Sequence, residues 1–351
     1  MFDPVLIYGA AGFTGQLIVR EALARGLRPV LAGRNGKKLA ALAASEGLSH
    51  RAFALNDSRA IAENLNGVEV VLNAAGPFHE TAVKLARACL DCGAHYLDIA
   101  GEVAVFEELV KLNDEARERR VMLMPGVGFD VVATDCLSGL VAAKVPKAQR
   151  LELALSGLNA ISRGSADSVF DQYDELVTVR RNGRLMRSVP GELAAEFDFG
   201  RGSRRAVAIT WGDVSTAYYT TGIPDITVYY EAIPIVELGL NLNRYAKWMF
   251  STPAWNWWRK VGVNLLPEGP NEEQRARGRA VVVARAADAV NRRAELRLET
   301  PEVYSFTAST SVAVVDRVLS QEYKPGFQTP AQVYGSDYVL SLPGVTLTDV
   351  Q

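Results

Sequence analysis

The stretch Val5-Leu6-Ile7-Tyr8-Gly9-Ala10-Ala11-Gly12-Phe13-Thr14-Gly15 decides the fold, because four apolar residues run directly into three glycines spaced three apart. A continuous apolar run of this kind is what a parallel strand covered on both faces shows. Gln16 to Leu23 follows at helical spacing, so the chain reads as strand, tight turn and helix. In that setting Gly9 permits the sharp turn, Gly12 lets backbone approach a bound phosphate, and Gly15 lets the helix pack close to the strand. A pyrophosphate would rest on the N–H groups of the helix N-terminus, where the helix dipole favours negative charge. Gly9, Ala10, Ala11, Gly12, Phe13, Thr14 and Gly15 are therefore candidate cofactor-binding residues. The spacing is GxxGxxG, and the strand before it and the helix after it give it meaning beyond a glycine-rich turn.

The next apolar run, Arg28 to Arg34, lies about twenty residues on, where an NAD site places a carboxylate against the ribose 2′-hydroxyl. Here the position offers Gly33-Arg34-Asn35, then Lys37 and Lys38. A guanidinium suits a 2′-phosphate through a two-pronged contact, whereas a carboxylate would repel it. NADP is expected over NAD, with Arg34 and Asn35 as contacts; the alternative is that Arg34 and the lysines only cap and solubilise the following helix.

The chain has 351 residues, 48% hydrophobic and 22% charged, enough for two domains with a core each. A net charge of −2 gives no reason to expect nucleic acid as a partner. Cys89, Cys92 and Cys136 are too few for a disulfide framework. Cys89 and Cys92 form a C-x-x-C inside a helical pattern with no second pair, so they read as free thiols and no metal is expected. Without an 18-residue apolar run or a leader pattern, the expected compartment is the cytoplasm.

In chain order, Lys37 to Gly47 reads as a helix, Ser49 to Leu55 as a third strand and Ser58 to Leu65 as a helix. Asn56 and Asp57 then sit at a strand end, over the crevice where adenine lies in such folds. Val68 to Asn73 is a fourth strand entering Ala74-Ala75-Gly76-Pro77-Phe78, whose small residues admit a pyrophosphate and a nicotinamide ribose. Thr81 to Gly93 is helical, Ala94 to Ile99 a fifth strand, Glu102 to Arg120 one charged amphipathic helix, and Val121 to Pro125 a sixth strand. Strands alternating with helices predict an α/β domain built on a doubly wound parallel sheet of the Rossmann type.

The strings YGAAGFTG, AGR, NAAGPF, HYLDIAGE, PGVGFDVVATD and GFQTPAQVYG resemble those of the saccharopine dehydrogenase-like oxidoreductases, a family that includes saccharopine reductases and trans-acting enoyl reductases. The resemblance covers residues 1 to 145, is weaker at Gly164 to Ser168 and Thr221 to Pro224, and returns at Gly326 to Gly335. It implies an NADP-binding domain, then an α+β domain, then a C-terminal segment returning to the first. It further implies reduction of a C=C or C=N bond, with the enoyl-reductase-like branch, or members with no assigned reaction, closer because residues for an amino-dicarboxylate are not matched.

Past Val145 the periodicity changes. Leu151 to Leu158, Ala206 to Trp211, Thr227 to Ala232, Ala280 to Ala287 and Arg292 to Glu299 alternate like strands of a mixed sheet, with Ser165 to Arg180 helical. The last two strands are expected to form a hairpin, and Arg293, Glu295, Arg297 and Glu299 to share a face. Pro301 to Ser320 reads as a helix, and Thr329-Pro330-Ala331 opens another. The expected organisation is an NADP-binding domain over residues 1–145, an α+β substrate and dimerisation domain over 146–325, and a returning segment over 326–351. Ile233 to Pro267 holds four of the five tryptophans among basic residues, which suits peripheral contact with a membrane, a dimer contact or a lid.

Hydride transfer needs orientation and one proton donor. Asp98 beside Ala100-Gly101 is the first candidate, and Gly101 is a candidate cofactor contact. Tyr218 and Tyr219 are candidates from the second domain, and as strand neighbours only one of them could face the cleft. His95, Tyr96, Glu102 and Asp130 are also near; His95 reads as structural, Glu102 as a carboxylate held by a helix dipole, and Asp130 as the N-cap of a helix from Val131. The substrate is expected to be a small, fairly apolar molecule, with lipid-like compounds among the candidates, and the protein a homodimer. A second class, a non-catalytic dinucleotide sensor or lipid-surface scaffold, keeps the same glycines.

Overall fold

The computed structural model describes residues 4–157, 176–232 and 268–350, and its first element is β1 (Val5–Tyr8), buried throughout. The chain continues through α1 (Phe13–Ala24), β2 (Val30–Gly33), α2 (Gly36–Glu46), β3 (His50–Ala52), α3 (Ser58–Leu65), β4 (Val70–Asn73) and α4 (Phe78–Cys92). Then come β5 (His95–Asp98), α5 (Val103–Val110), α6 (Asn113–Glu118), β6 (Met122–Met124) and α7 (Phe129–Lys144). The second half holds β7 (Arg150–Ser156), β8 (Val177–Arg181), β9 (Arg184–Ser188), β10 (Ala194–Asp198), β11 (Ser203–Ile209), α8 (Asp213–Thr221) and β12 (Asp225–Glu231). After α9 (Glu272–Arg277), β13 (Arg279–Ala287), β14 (Arg293–Pro301) and α10 (Val303–Leu319), the chain closes with β15 (Gly326–Phe327), α11 (Pro330–Tyr334) and β16 (Thr346–Asp349).

The first sheet has seven strands in the order β15-β6-β5-β4-β1-β2-β3, every pair parallel. The order reverses between β1 and β4, the switch point at whose carboxyl edge ligands bind in such sheets. Leu6, Ile7, Val71 and Leu72 are at most 1% exposed, and each such side chain contributes about 1.5 to 3 kcal/mol by burial. The seventh strand was not expected: Gly326 and Phe327 pair with Met122 and Leu123, and the Asn113 side chain accepts from the Phe327 N–H at 3.1 Å. The same asparagine marks where the expected single helix from Glu102 breaks. Leu112 folds back on Leu109, and two short helices replace one.

The second sheet runs β10-β11-β12-β7-β13-β14-β16, with β8 on β12 and β9 on β8. It is mixed, because β7 and β12 are parallel and the other pairs antiparallel. The expected hairpin of β13 and β14 forms, and Glu295 and Arg297 lie half-buried on one face while Leu296 and Leu298 are buried on the other. Several expectations are corrected here. Val177–Arg181 is a strand, not the end of a helix, and forms a hairpin with β9 through Asn182-Gly183, both at positive φ, as a tight two-residue turn requires. Tyr218 and Tyr219 lie on α8, closed by Gly222 in the left-handed conformation, although their β-branched and aromatic neighbours read as a strand. Pro301 ends β14, and only Glu302 separates it from the start of α10. The remainder of the predicted Ser165 to Arg180 helix, and residues 233–267, lie outside the described residues.

Two compact units result, Met1–Cys136 with Tyr304–Pro343, and Leu137–Val303 with Gly344–Gln351. The expected boundaries therefore shift. The first unit ends inside α7, and most of α10 belongs to it rather than to the middle segment. The C-terminal segment is shared, since β15 and α11 return to the first sheet while β16 adds to β14.

Candidate cofactor site

At the carboxyl end of β1 the three glycines are held by sterics. Gly9 has φ +88°, and a Cβ there would lie 2.7 Å from the Ala75 N of the β4 loop. A Cβ on Gly15 would sit 2.2 Å from the Gly9 carbonyl, so only glycine brings α1 this close to the turn. Gly12 is exposed, and its N–H reaches the Gly9 carbonyl at 3.0 Å. Gly12 is also the N-cap of α1, so no side chain caps the helix, and its first turn holds no acidic residue. The turn is anchored on both sides: Gly9 N–H donates to Ala32 O at 2.8 Å and Ala74 N–H to Tyr8 O at 2.7 Å. A backbone cradle open at a helix N-terminus is what a pyrophosphate fits.

Arg34 is exposed immediately past β2, and its charge reaches the buried Tyr8 phenol: burial raises that phenol and Arg34 lowers it. Asn35 caps α2 by accepting from Lys38 N–H at 3.0 Å. Asp57 caps α3, accepting from Arg59 N–H at 2.9 Å and Ala60 N–H at 3.3 Å. Asn35, Asn56 and Asp57 are all exposed at the carboxyl edge of the sheet, with two of the three side chains already serving helices. Arg34 is thus a charged group suited to a 2′-phosphate, with the exposed Lys37 and Lys38 following in the first turn of α2.

The loops after β4, β5 and β6 are tied by buried side chains. Asn73, Tyr96 and Asp98 are 0% exposed. Asp98 Oδ1 accepts from Ala100 N–H and Gly126 N–H, both at 2.9 Å, and its Oδ2 accepts from the Tyr96 hydroxyl at 2.8 Å. Burial raises the Asp98 carboxyl to about 6, against the pull of these donors. Both oxygens are engaged and none of the residue is exposed, so the geometry makes Asp98 a brace where the sequence suggested catalysis. Sequence reasoning missed the roles of Asn73 and Thr81; the signal available was a polar residue at the end of an otherwise apolar strand.

The other candidates separate in the same way. Glu102 is a dipole-held carboxylate, but of α4, not of its own helix: it accepts from Phe78 N–H and His79 N–H, both at 3.0 Å. His95 is structural, as expected; its Nδ1 accepts from Met122 N–H at 3.0 Å, and burial lowers it to about 4. Asp130 is not an N-cap. It lies in the first turn of α7, half-buried, and a Cβ on Gly101 would meet its Oδ2 at 2.8 Å. Burial raises its carboxyl to about 7. Ala74, Ala75, Pro77 and Gly101 are half-buried and Gly76 exposed, all at the same sheet edge. In the second unit, the Arg180 guanidinium lies 4.2 Å from the Tyr218 ring centroid, and Tyr218 lines a cleft with Lys147 and Asn182. Among the described residues no group of His, Cys, Asp and Glu is arranged to hold a metal, and no helix is long and apolar enough to cross a membrane.

The family model of the saccharopine dehydrogenase NADP-binding domain matches residues 5–124, which span β1 to β6 with the loops that follow β1, β2, β4 and β5. Residues 5–124 belong to that family. This saccharopine dehydrogenase-type domain binds NADP. Similar curated proteins include one named "Lipid droplet localized protein" from Caenorhabditis elegans, 31% identical over 37% of this chain and 34% of its own. The human "Saccharopine dehydrogenase-like oxidoreductase" is 26% identical over 37% of this chain and 35% of its own. A Mycobacterium tuberculosis "Putative trans-acting enoyl reductase" is 29% identical over 38% of this chain and 34% of its own. Each match thus takes in about a third of the relative's length. In fold the likeness extends further: apo saccharopine dehydrogenase (L-Glu forming) from Saccharomyces cerevisiae superposes with a TM-score of 0.68 over 99% of both chains, at 11% identity.

Proposed function

We propose that the chain is an NADPH-dependent oxidoreductase that reduces a C=C or C=N bond in a fairly apolar substrate. The observation that carries this is the Gly9 to Gly15 cradle with Arg34, and no carboxylate, at the end of β2. NADPH supplies the hydride, and the chain's residues bind and orient. The α1 N-terminus meets the pyrophosphate and Arg34 the 2′-phosphate, while Ala74 to Pro77 and Gly101 receive the nicotinamide half. Asp130, beside Gly101 and with a carboxyl that burial raises to about 7, is the group placed to hold a proton at that edge. Relatives named for enoyl reduction favour the C=C bond, and one named for lipid droplets favours a lipid-like substrate.

The name of that lipid-droplet relative also supports a second reading, a dinucleotide-binding scaffold at a lipid surface, to which residues 233–267 with their tryptophans would contribute. One experiment separates the two. The purified protein is titrated with NADPH and NADH by nicotinamide fluorescence, then offered enoyl and imine substrates. Preferential NADPH binding with oxidation by one substrate class is expected. Binding without oxidation, together with partitioning onto liposomes, selects the scaffold; no binding of either nucleotide refutes both.

A further inference from the structure

Parallel strands covered on both faces are normally apolar, and a buried polar group there is costly unless bonded. β4 and β5 nonetheless carry Asn73 and Asp98 wholly buried at their carboxyl ends, directly beside each other in the register, with Tyr96 wholly buried two residues before Asp98. Each of these loops is bonded to one of them. Ala75 N–H donates to Asn73 Oδ1 at 3.0 Å, and Ala100 N–H and Gly126 N–H donate to Asp98 Oδ1. These backbone groups can only donate, which sets the direction of everything between. Asn73 must present its amide nitrogen inward, to Thr81 Oγ1 and to the Tyr96 hydroxyl, each at 3.1 Å. Thr81 returns its own proton to Ala75 O at 2.7 Å. Tyr96, receiving from Asn73, sends its single proton to Asp98 Oδ2. Both amide protons of Asn73, its oxygen, the phenol proton and both Asp98 oxygens are used.

Each half of this network makes its own loop bonds: Asn73 with Thr81 shapes the β4 loop, and Asp98 shapes the β5 and β6 loops. Inside the core one hydroxyl joins them, while outside the network Glu102, next to Gly101, accepts from Phe78 and His79 N–H just past Pro77. We propose that Tyr96 is a positioning residue, whose hydroxyl sets the Ala74 to Pro77 loop against the Ala100-Gly101 and Gly126 loops so that nicotinamide and substrate meet in one geometry. This rests on the reductase reading, which assigns those loops to the nicotinamide half. The adenine half, held by Gly12 and Arg34, is outside the network.

Tyr96→Phe tests it, because the ring still fills the core and each loop keeps its own bonds. In the cofactor-free protein, amide exchange at Ala75, Ala100 and Gly126 is expected to rise about tenfold, with Ile7 and Leu31 unchanged. With a substrate in hand, kcat is expected to fall about tenfold or more while the NADPH Kd and the substrate KM move less than about threefold, since misplacement costs rate and not binding. Unchanged exchange at the three amides overturns the proposal, and so does a loss confined to Kd or KM. If the wild type fails to bind NADPH, the reductase reading falls while the exchange result still decides the cross-tie. Should Tyr96→Phe not fold, Thr81→Val leaves Tyr96 and Asp98 in place and is expected to raise exchange at Ala75 alone; a rise at all three amides, or at none, overturns the proposed division.

Discussion

Replacing Asp98 by asparagine separates the charge of this side chain from its hydrogen bonds. The carboxyl is 0% exposed, and burial raises it from 3.8 to about 6. A carboxyl that ionises less readily in the fold than in the unfolded chain binds more protons when folded. Its contribution to stability is therefore full below 3.8 and is lost as pH rises from there to about 6. About two units at about 1.4 kcal/mol each make that loss about 3 kcal/mol. In Asp98→Asn the oxygen still accepts from Ala100 and Gly126, while the amide must donate to Tyr96, whose own proton loses its acceptor at a cost of about 1 to 2 kcal/mol. The variant is expected to be less stable than wild type near pH 4 and equal or more stable at pH 7, with NADPH bound normally. Urea unfolding of both proteins at half-unit steps from pH 4 to pH 7 gives the difference directly, and Asp130, present in both, cancels. A difference that stays constant over this range, or that favours wild type increasingly as pH rises, would falsify the assignment of burial as the dominant influence on Asp98.

Three further outcomes follow from single positions. Arg34→Ala is expected to weaken NADPH by about 1.5 to 3 kcal/mol, the worth of a hydrogen bond to a charged group, and NADH hardly at all; equal losses in fluorescence titrations would show that the 2′-phosphate lies elsewhere. Gly15→Ala places a methyl 2.2 Å from the Gly9 carbonyl, so the turn and α1 must part, and a loss of about 2 kcal/mol or more in thermal unfolding is expected along with loss of NADPH binding. Lys147 has φ +64° in a turn closed by Ala148 N–H to Val145 O at 3.1 Å, a position that favours glycine, and Lys147→Gly should stabilise by about 0.5 to 1 kcal/mol. A destabilised Lys147→Gly protein would mean that the side chain makes a contact worth more than the strain.

The parts of the site legible in the sequence are those where local sterics decide. Gly9, Gly12 and Gly15 could be assigned because a turn between strand and helix constrains residues only a few positions apart, and Thr329 with Gln332 closes a capping box over the same short range. Arg34 could be placed because it follows the end of an apolar run. By contrast Glu102 read as a carboxylate for its own helix, and in the fold it caps α4, 23 and 24 residues earlier in the chain. The Tyr218 segment read as a strand because β-branched and aromatic residues favour one, while Gly222 and the packing of α8 against β8 and β12 prevail.

The sequence by itself determined the alternation of strands and helices in the first unit, the glycine turn and the basic residue at the end of β2, since periodicity and backbone conformation are local properties of the chain. Only the tertiary structure decided which side chains meet. Asn73, Tyr96 and Asp98 became one network, with Gly126 at its far end, because the order of strands in the sheet puts β4, β5 and β6 side by side. Burial there, which no local pattern encodes, turned Asp98 from a candidate catalyst into a brace, and strand pairing divided the C-terminal segment between two sheets.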